Sequence, residues 1–167
     1  MKKSVFILSL FSAASFVQAA DLASSDKQFI EKVAAGNTAE VKLAQLAEQK
    51  SQDSKVKDFA NRMITDHGKA NNDLRPIAGT AQIKIPDQLK GEAKARYNKL
   101  EKLSGPEFDR TYINDMVKDH QKDATEYQKE QGQVKDPQLK TYVDNTLPVV
   151  QSHFHMAEEI KNSTASR

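Results

Sequence analysis

The stretch 56–74, VKDFANRMITDHGKANNDL, has the residue spacing of an amphipathic α-helix. At 100° per residue, six of its apolar side chains fall within about 60° of one position, His67. This apolar set comprises Val56, Ala60, Met63, Ile64, Ala70 and Leu74. The segment therefore predicts a long helix that has a histidine at the centre of its buried face.

A second segment repeats part of this pattern. Residues 63–67 read MITDH and residues 116–120 read MVKDH, so two of the four histidines follow the same Met-x-x-Asp frame. The apolar residues that surround His120 on its helical face are Ile113, Met116, Val117, Ala124 and Tyr127. A second inward-facing histidine is therefore predicted on a second long helix.

Two further helices show the same arrangement. The last one centres His153 on its apolar face, whereas His155 points to nearly the opposite side. The first one centres Glu40, provided that the helix stays in register through Gly36. Four long helices thus each carry one ionisable group in an otherwise apolar seam, which is costly unless the groups find partners.

Capping residues and helix breakers predict five helical segments and no strand. The segments are about 24–52, 54–79, 87–103, 104–131 and 137–162, with Asp53 or Ser54 capping the second and Asp136 capping the last. A kink is expected at 36–38 and a bend at Pro148, because glycine and proline weaken a helix interior. The chain has only 6 Gly and 5 Pro, which also favours an all-α fold.

The first 19 residues have the features of a cleaved secretory signal peptide. Two lysines precede the apolar run SVFILSLFSAASFV, and small residues end at Ala19, where a signal peptidase would cut. The alternative is a signal anchor, which the short apolar run disfavours. The predicted organisation is a signal peptide at 1–19, a helical bundle at 20–162 and a flexible tail at 163–167.

Charge and cysteine content limit the functions of the mature chain. The whole sequence has 25 Lys plus Arg against 23 Asp plus Glu, and two of the lysines belong to the signal, so the mature part is balanced. This balance gives no support for nucleic-acid binding. The chain has no cysteine, so it has neither a disulfide nor a lipoprotein anchor. We expect a periplasmic protein without a membrane span after cleavage; no motif identifies a protein partner.

The four central groups are predicted to lie at similar depth in a bundle. At 1.5 Å per residue, Glu40 lies roughly 18 Å and His67 roughly 21 Å below the turn between the first two helices. The crossover at about 80–105 is long enough to return the chain to that end, which makes the second and fourth segments parallel. His120 then lies roughly 21 Å down and His153 roughly 14 Å down.

Four segments together resemble a known bacterial family. FIEKVAAGNTAEVKLAQLAEQK, VKDFANRMITDH, LSGPEFDRTYINDMVKDH and LPVVQSHFHMAEEI are similar, in order and spacing, to the ferritin-like family catalogued as domain of unknown function 4142. The resemblance implies a ferritin-like four-helix bundle with a helical crossover between the second and third core helices. It also implies that the recurrent polar positions are Glu40, Asp66, His67, Asp109, His120 and His153.

Three imidazoles and one carboxylate predict a site for a single transition-metal ion. The predicted ligands are Glu40, His67, His120 and His153, and the ion is Zn, Cu, Ni or Fe. The alternative for the same residues is a buried Glu/His hydrogen-bond network that fixes helix register or senses pH.

A di-iron centre of the ferritin type is disfavoured. Such centres use a Glu-x-x-His motif on two helices, but the residues three before the histidines are Ile64, Val117 and Val150. Asp66 and Asp119 lie about 100° from the apolar seam. That position is typical of carboxylates at the boundary between core and solvent. The alternative is that they accept hydrogen bonds from neighbouring imidazoles behind the ligand set.

The sequence contains no recognisable enzyme signature. It has no phosphate-binding glycine loop, no Gly-x-Ser-x-Gly elbow, no cysteine nucleophile and no His-Glu-x-x-His pair. From the predicted export and the candidate metal site, the expected function is metal handling or envelope stress tolerance. The alternative is a non-catalytic structural or chaperone-like periplasmic protein.

Overall fold

The computed structural model describes residues 22–165, which form five α-helices without a strand among them. The helices are α1 Ser24–Lys50, α2 Ser54–Thr80, α3 Gly91–Glu101, α4 Gly105–Gln133 and α5 Pro137–Ala165. None of the helices in this described part is long and apolar enough to cross a membrane. The predicted signal peptide, 1–19, lies outside the described residues, and its cleavage stays a prediction.

Two predicted helix starts are confirmed by their capping hydrogen bonds. Asp53 Oδ1 accepts from the amides of Lys55 and Val56 at 2.9 and 3.4 Å. Asp136 Oδ1 accepts from the Leu139 amide at 2.8 Å. Each carboxylate satisfies amide groups that the first helical turn leaves without a partner, and so defines where α2 and α5 begin.

The long helices continue through their predicted weak points. α1 is a single helix across 36–38, so Glu40 keeps the register of the N-terminal turns. α5 likewise passes through Pro148, and the bend there stays a prediction. α5 is described as far as Ala165, past its predicted end at residue 162.

The crossover helix is shorter than its prediction of 87–103. α3 begins at Gly91, whose φ of +51° is a left-handed conformation that favours glycine. Before it, the Thr38 hydroxyl donates to the Pro86 carbonyl at 2.9 Å and attaches the crossover to α1. A left-handed residue interrupts a right-handed helix, so the crossover stays irregular before Gly91.

The helices pack as two antiparallel hairpins. α1 packs mainly on α2, α4 packs mainly on α5, and contacts between α2 and α5 join the pairs. α3 lies against α1 and α4 and returns the chain along the bundle. The predicted all-α, ferritin-like four-helix bundle with a helical crossover is confirmed.

The apolar core is divided into two halves. One half contains Leu43, Phe59, Met63, Tyr112, Met116 and Ile160. The other contains Phe29, Ile30, Leu74, Tyr127, Leu139 and Tyr142. The half of the core that contains Leu43 is formed by the C-terminal turns of α1 and α5 and the N-terminal turns of α2 and α4. Because α2 and α4 both begin at this end of the bundle, they run parallel, as predicted. A layer of buried polar side chains lies between the two halves.

Candidate metal centre

Three histidines from three helices meet in this polar layer. His67 is on α2, His120 on α4 and His153 on α5, and their ring centroids are 5.3 to 5.6 Å apart. One ring nitrogen from each lies within 4.8 Å of the other two. The exposed fractions are 5, 0 and 0 %, so the group is enclosed by protein.

Asn37 determines which nitrogen of His67 carries the proton. The Asn37 amide nitrogen donates to the Tyr142 hydroxyl at 3.1 Å, so its oxygen faces His67 as an acceptor. His67 Nδ1 lies 2.9 Å from that oxygen and must donate. The Nε2 atom of the neutral ring therefore carries a free lone pair.

The other two rings are held in the same way by acceptors that cannot donate. His120 Nδ1 donates to the Met116 carbonyl at 2.9 Å. His153 Nε2 donates to the Asp66 carboxylate at 2.9 Å. His153 Nδ1 is buried and has no hydrogen-bond partner among residues 22–165. Each ring thus donates from one nitrogen to a fixed acceptor and keeps its other nitrogen unprotonated.

The facing lone pairs match the requirements of a metal ion. His67 Nε2 and His120 Nε2 are 3.4 Å apart, and in the neutral rings neither carries a proton to share. Two nitrogens bound at about 2.0–2.1 Å to a tetrahedral ion would be about 3.3 Å apart. A carboxylate or carbonyl behind each metal-bound imidazole is also the usual support in metal sites. One nitrogen of each of the three rings lies within 4.8 Å of the other two, so the residues supply the donor set of a three-histidine metal centre.

Burial keeps these imidazoles in the neutral form that binds metals. It lowers the pKa of His67 well below the usual value, and the neighbouring His120 and His153 add to the effect. Burial, followed by His153, lowers the pKa of His120 to about 4. Burial also lowers the pKa of His153, although Asp66 opposes this. All three rings are accordingly neutral near pH 7.

Glu40 is buried as predicted but lies outside the histidine group. It lines a neighbouring cavity with Arg96, Asp119 and Asp123, and its Oε2 has no hydrogen-bond partner in the described chain. Burial, and then the charge of Asp123, raises its pKa to about 8. The structure thus brings together the imidazole part of the predicted ligand set and leaves the carboxylate part in the adjacent space.

The two aspartates of the repeated Asp-His frame have different partners. Asp66 accepts from His153 and, at 2.7 Å, from Arg62 Nε. Asp119 instead forms an ion pair with Arg96 on the crossover helix. One of the two predicted outer acceptors therefore orients an imidazole, and the other attaches α3 to α4.

The predicted site omits Asn37 and Tyr142. Asn37 is buried one turn before Glu40 on α1, and Tyr142 continues the hydrogen-bond chain to Tyr127 at 3.4 Å. The sequence feature that could have indicated this role is the side-chain amide of Asn37 on the apolar face of α1. It lies inside the segment 36–38, where a kink was expected. Such a residue is costly unless both ends of its amide are satisfied, as they are here.

The family of the chain follows from its sequence profile. The profile described as "Domain of unknown function (DUF4142)" matches residues 11–160. The chain belongs to the DUF4142 family. The resemblance found in the four helical segments is thereby confirmed. None of the curated proteins matches the chain significantly.

Solved structures share the fold of this DUF4142 chain. A DUF305 fragment from Deinococcus radiodurans superposes with a TM-score of 0.75 at 12 % identity, over 86 % of this chain and 99 % of that chain. CopM, solved in Cu(I)-bound and Cu(II)-bound forms, superposes with a TM-score of 0.70 at 16 % identity, over 83 % of this chain and 96 % of CopM. At these identities the likeness concerns the fold.

Proposed function

We propose that this DUF4142 protein binds one transition-metal ion between His67, His120 and His153 and acts in metal handling. The observation that carries the proposal is the set of three buried imidazoles whose outward nitrogens all donate to fixed acceptors. The other nitrogen of each ring is unprotonated, and one ring nitrogen from each histidine lies within 4.8 Å of the other two. A cation there would remove the cost of burying these unpaired acceptors.

Copper is the ion that we favour from the predicted set of Zn, Cu, Ni and Fe. Three neutral imidazoles suit all four, and copper(II) heads the affinity series of the divalent ions. CopM, which shares the fold, was solved with Cu(I) and with Cu(II). The three histidines leave a fourth position open, which suits an ion that is taken up and passed on.

The location of this activity is part of the proposal. The signal peptide predicted at 1–19 would deliver the chain to the periplasm, where metal enters the cell envelope. Sequestering copper there would contribute to envelope stress tolerance. The enclosed site favours storage or transfer of the ion over catalysis, since 0 % exposure of His120 and His153 leaves little room for a substrate beside the metal.

Metal titration of the mature chain, purified without a histidine tag, tests the proposal. We expect one Cu²⁺ per chain by elemental analysis and a rise in thermal midpoint on binding. Alanine at His67, His120 or His153 should weaken binding by more than the roughly 100-fold that loss of an outer hydrogen-bond partner costs. The same titration with Zn²⁺, Ni²⁺ and Fe²⁺ ranks the ions.

His155→Ala is the matched control. His155 lies two residues from His153 on the same helix, but its side chain is 71 % exposed and turned away from the centre. It should bind metal like the unchanged protein. Absence of stoichiometric binding by the unchanged protein, or equal losses in His153→Ala and His155→Ala, would refute the proposed site.

The hydrogen bonds of the polar layer support a second candidate function. Asn37, His67 and Tyr142 link α1, α2 and α5, and Asp66 links α2 to His153 of α5. A purely structural layer would fix helix register in a chaperone-like protein. In that case the alanine variants would lose stability without any change in metal response.

A further inference from the structure

A narrow cavity between α1 and α4 connects the protein surface to the histidine group. Its volume is about 80 Å³, and its lining includes His67 and Asn37 at the buried end. At the other end are Lys32 and Glu126, whose side chains are 51 and 23 % exposed. Because His120 and His153 are fully buried, His67 is the first of the three that a species moving through this cavity would meet.

The dimensions and charges of the cavity suit a small cation. Pockets for organic ligands are typically about 300–1,000 Å³, several times the volume found here. The polar lining includes the carboxylates of Asp123 and Glu126. Burial and the neighbouring Glu126 raise the pKa of Asp123 to about 6, which still leaves it ionised at neutral pH. The cavity thus places negative charge between the surface and the imidazoles.

A side-chain cation already occupies the mouth of the cavity. The Lys32 ammonium forms an ion pair with Glu126 across the gap between α1 and α4. Beside it on α1, Gly36 is exposed, and a Cβ added there would meet nothing within 4 Å. The mouth is therefore open on the glycine side and covered by the Lys32–Glu126 ion pair on the other.

We propose that metal ions enter the three-histidine centre through this cavity, with Asp123 and Glu126 as staging carboxylates and Lys32 as the cation that the ion displaces. This inference rests on the proposed metal-binding function and adds its route of uptake. No bond to the protein is broken; the ion exchanges water for carboxylate oxygen and then for imidazole nitrogen. If this route is used, obstructing it should change the rates of metal association and dissociation without changing the dissociation constant.

Stopped-flow mixing of the mature chain with Cu²⁺ measures these rates. The chain has no Trp and 4 Tyr, and Tyr142 is joined to His67 through Asn37, so quenching of tyrosine fluorescence reports arrival of the ion. Competition titration gives the dissociation constant separately. Both measurements are needed, because obstructing an access route slows association and dissociation by the same factor and leaves the dissociation constant unchanged.

Gly36→Leu tests the mouth of the route. A helical side chain leans over the preceding turn, so leucine here would cover the opening beside Lys32. We expect association and dissociation both to slow about tenfold or more, with an unchanged dissociation constant. Gly132→Leu is the matched control, since Gly132 is also exposed in a long helix with nothing within 4 Å of an added Cβ. Its rates should be unchanged.

Charge variants test the staging groups independently of the glycine. Asp123→Asn should slow association about tenfold, and Lys32→Met should accelerate it; both effects should shrink as salt is added. Lys140→Met is the control, because Lys140 forms a comparable exposed pair with Asp144 on α5. If circular dichroism shows that Gly36→Leu does not fold, Asp123→Asn and Lys32→Met still test the route, with Lys140→Met as their control.

The outcomes separate the two proposals. If the unchanged protein binds no stoichiometric Cu²⁺, the proposed function fails and this inference fails with it. If it binds Cu²⁺ at the histidines while Gly36→Leu, Asp123→Asn and Lys32→Met all keep the original rates, this inference alone is overturned. Slower uptake by Gly36→Leu at an unchanged dissociation constant, with Gly132→Leu unaffected, supports it.

Discussion

Replacing Asp66 by asparagine tests how the third imidazole is held in place. The carboxylate accepts the proton of His153 Nε2 at 2.9 Å and a hydrogen bond from Arg62 at 2.7 Å. Although burial acts to raise its pKa, these hydrogen bonds outweigh burial and lower the pKa of Asp66. The residue is therefore ionised at neutral pH and keeps the His153 proton on Nε2, which leaves Nδ1 for the metal.

The size of the effect differs between the metal-free and metal-loaded protein. An asparagine oxygen can still accept from His153, so a neutral hydrogen bond of about 1 kcal/mol replaces a charged one of about 1.5–3 kcal/mol. The Asp66 side chain is 21 % exposed, so solvent screens part of this difference, and we expect the metal-free protein to lose about 1 kcal/mol. Metal affinity should fall about 10- to 100-fold, or about 1.4–2.7 kcal/mol.

Urea unfolding with and without Cu²⁺, together with a competition titration, measures both losses. Asp73→Asn is the control, because Asp73 pairs with Lys69 four residues earlier on the same helix, as Asp66 does with Arg62. It should leave metal affinity unchanged. The reasoning is refuted if Asp66→Asn binds Cu²⁺ as tightly as the unchanged protein, or if Asp73→Asn weakens binding to the same extent.

Glu40→Gln should remove a pH dependence of stability. Burial raises the pKa of Glu40 from 4.5 to about 8, so the folded state holds the proton more tightly than the unfolded chain does. The free energy of unfolding should therefore fall as pH rises between these values, by up to roughly 5 kcal/mol, and Glu40→Gln should lose this slope while the exposed Glu31→Gln keeps it. Gly36→Ala should stabilise the protein by about 0.5–1 kcal/mol in thermal unfolding, because the added methyl group meets nothing within 4 Å in a helix interior. Gly105→Ala should have the opposite sign, by about 1–2 kcal/mol, because its φ of +55° is strained for alanine; equal signs would contradict this account.

The predictable part of the structure is the part that depends on near neighbours in sequence. Asp53 and Asp136 cap their helices as predicted, since a cap involves only the next three residues. The burial of His67, His120 and His153 follows from apolar residues three and four positions away. The shortening of α3 was not predictable in this way, because a glycine permits a left-handed conformation without requiring it. The segment before Gly91 is also attached to α1 by a hydrogen bond from residue 38 to residue 86, which are far apart in sequence.

Helical periodicity alone determined that four helices would each turn one ionisable side chain into the core. Tertiary structure decided which of these groups meet. A residue's face on its own helix is a local property, whereas the atoms opposite it depend on how helices from distant parts of the chain are rotated and shifted. Asp66, and not Asp119, therefore reaches an imidazole, and it does so 87 positions away. The same packing turns Glu40 towards the adjacent cavity and places Asn37 behind His67.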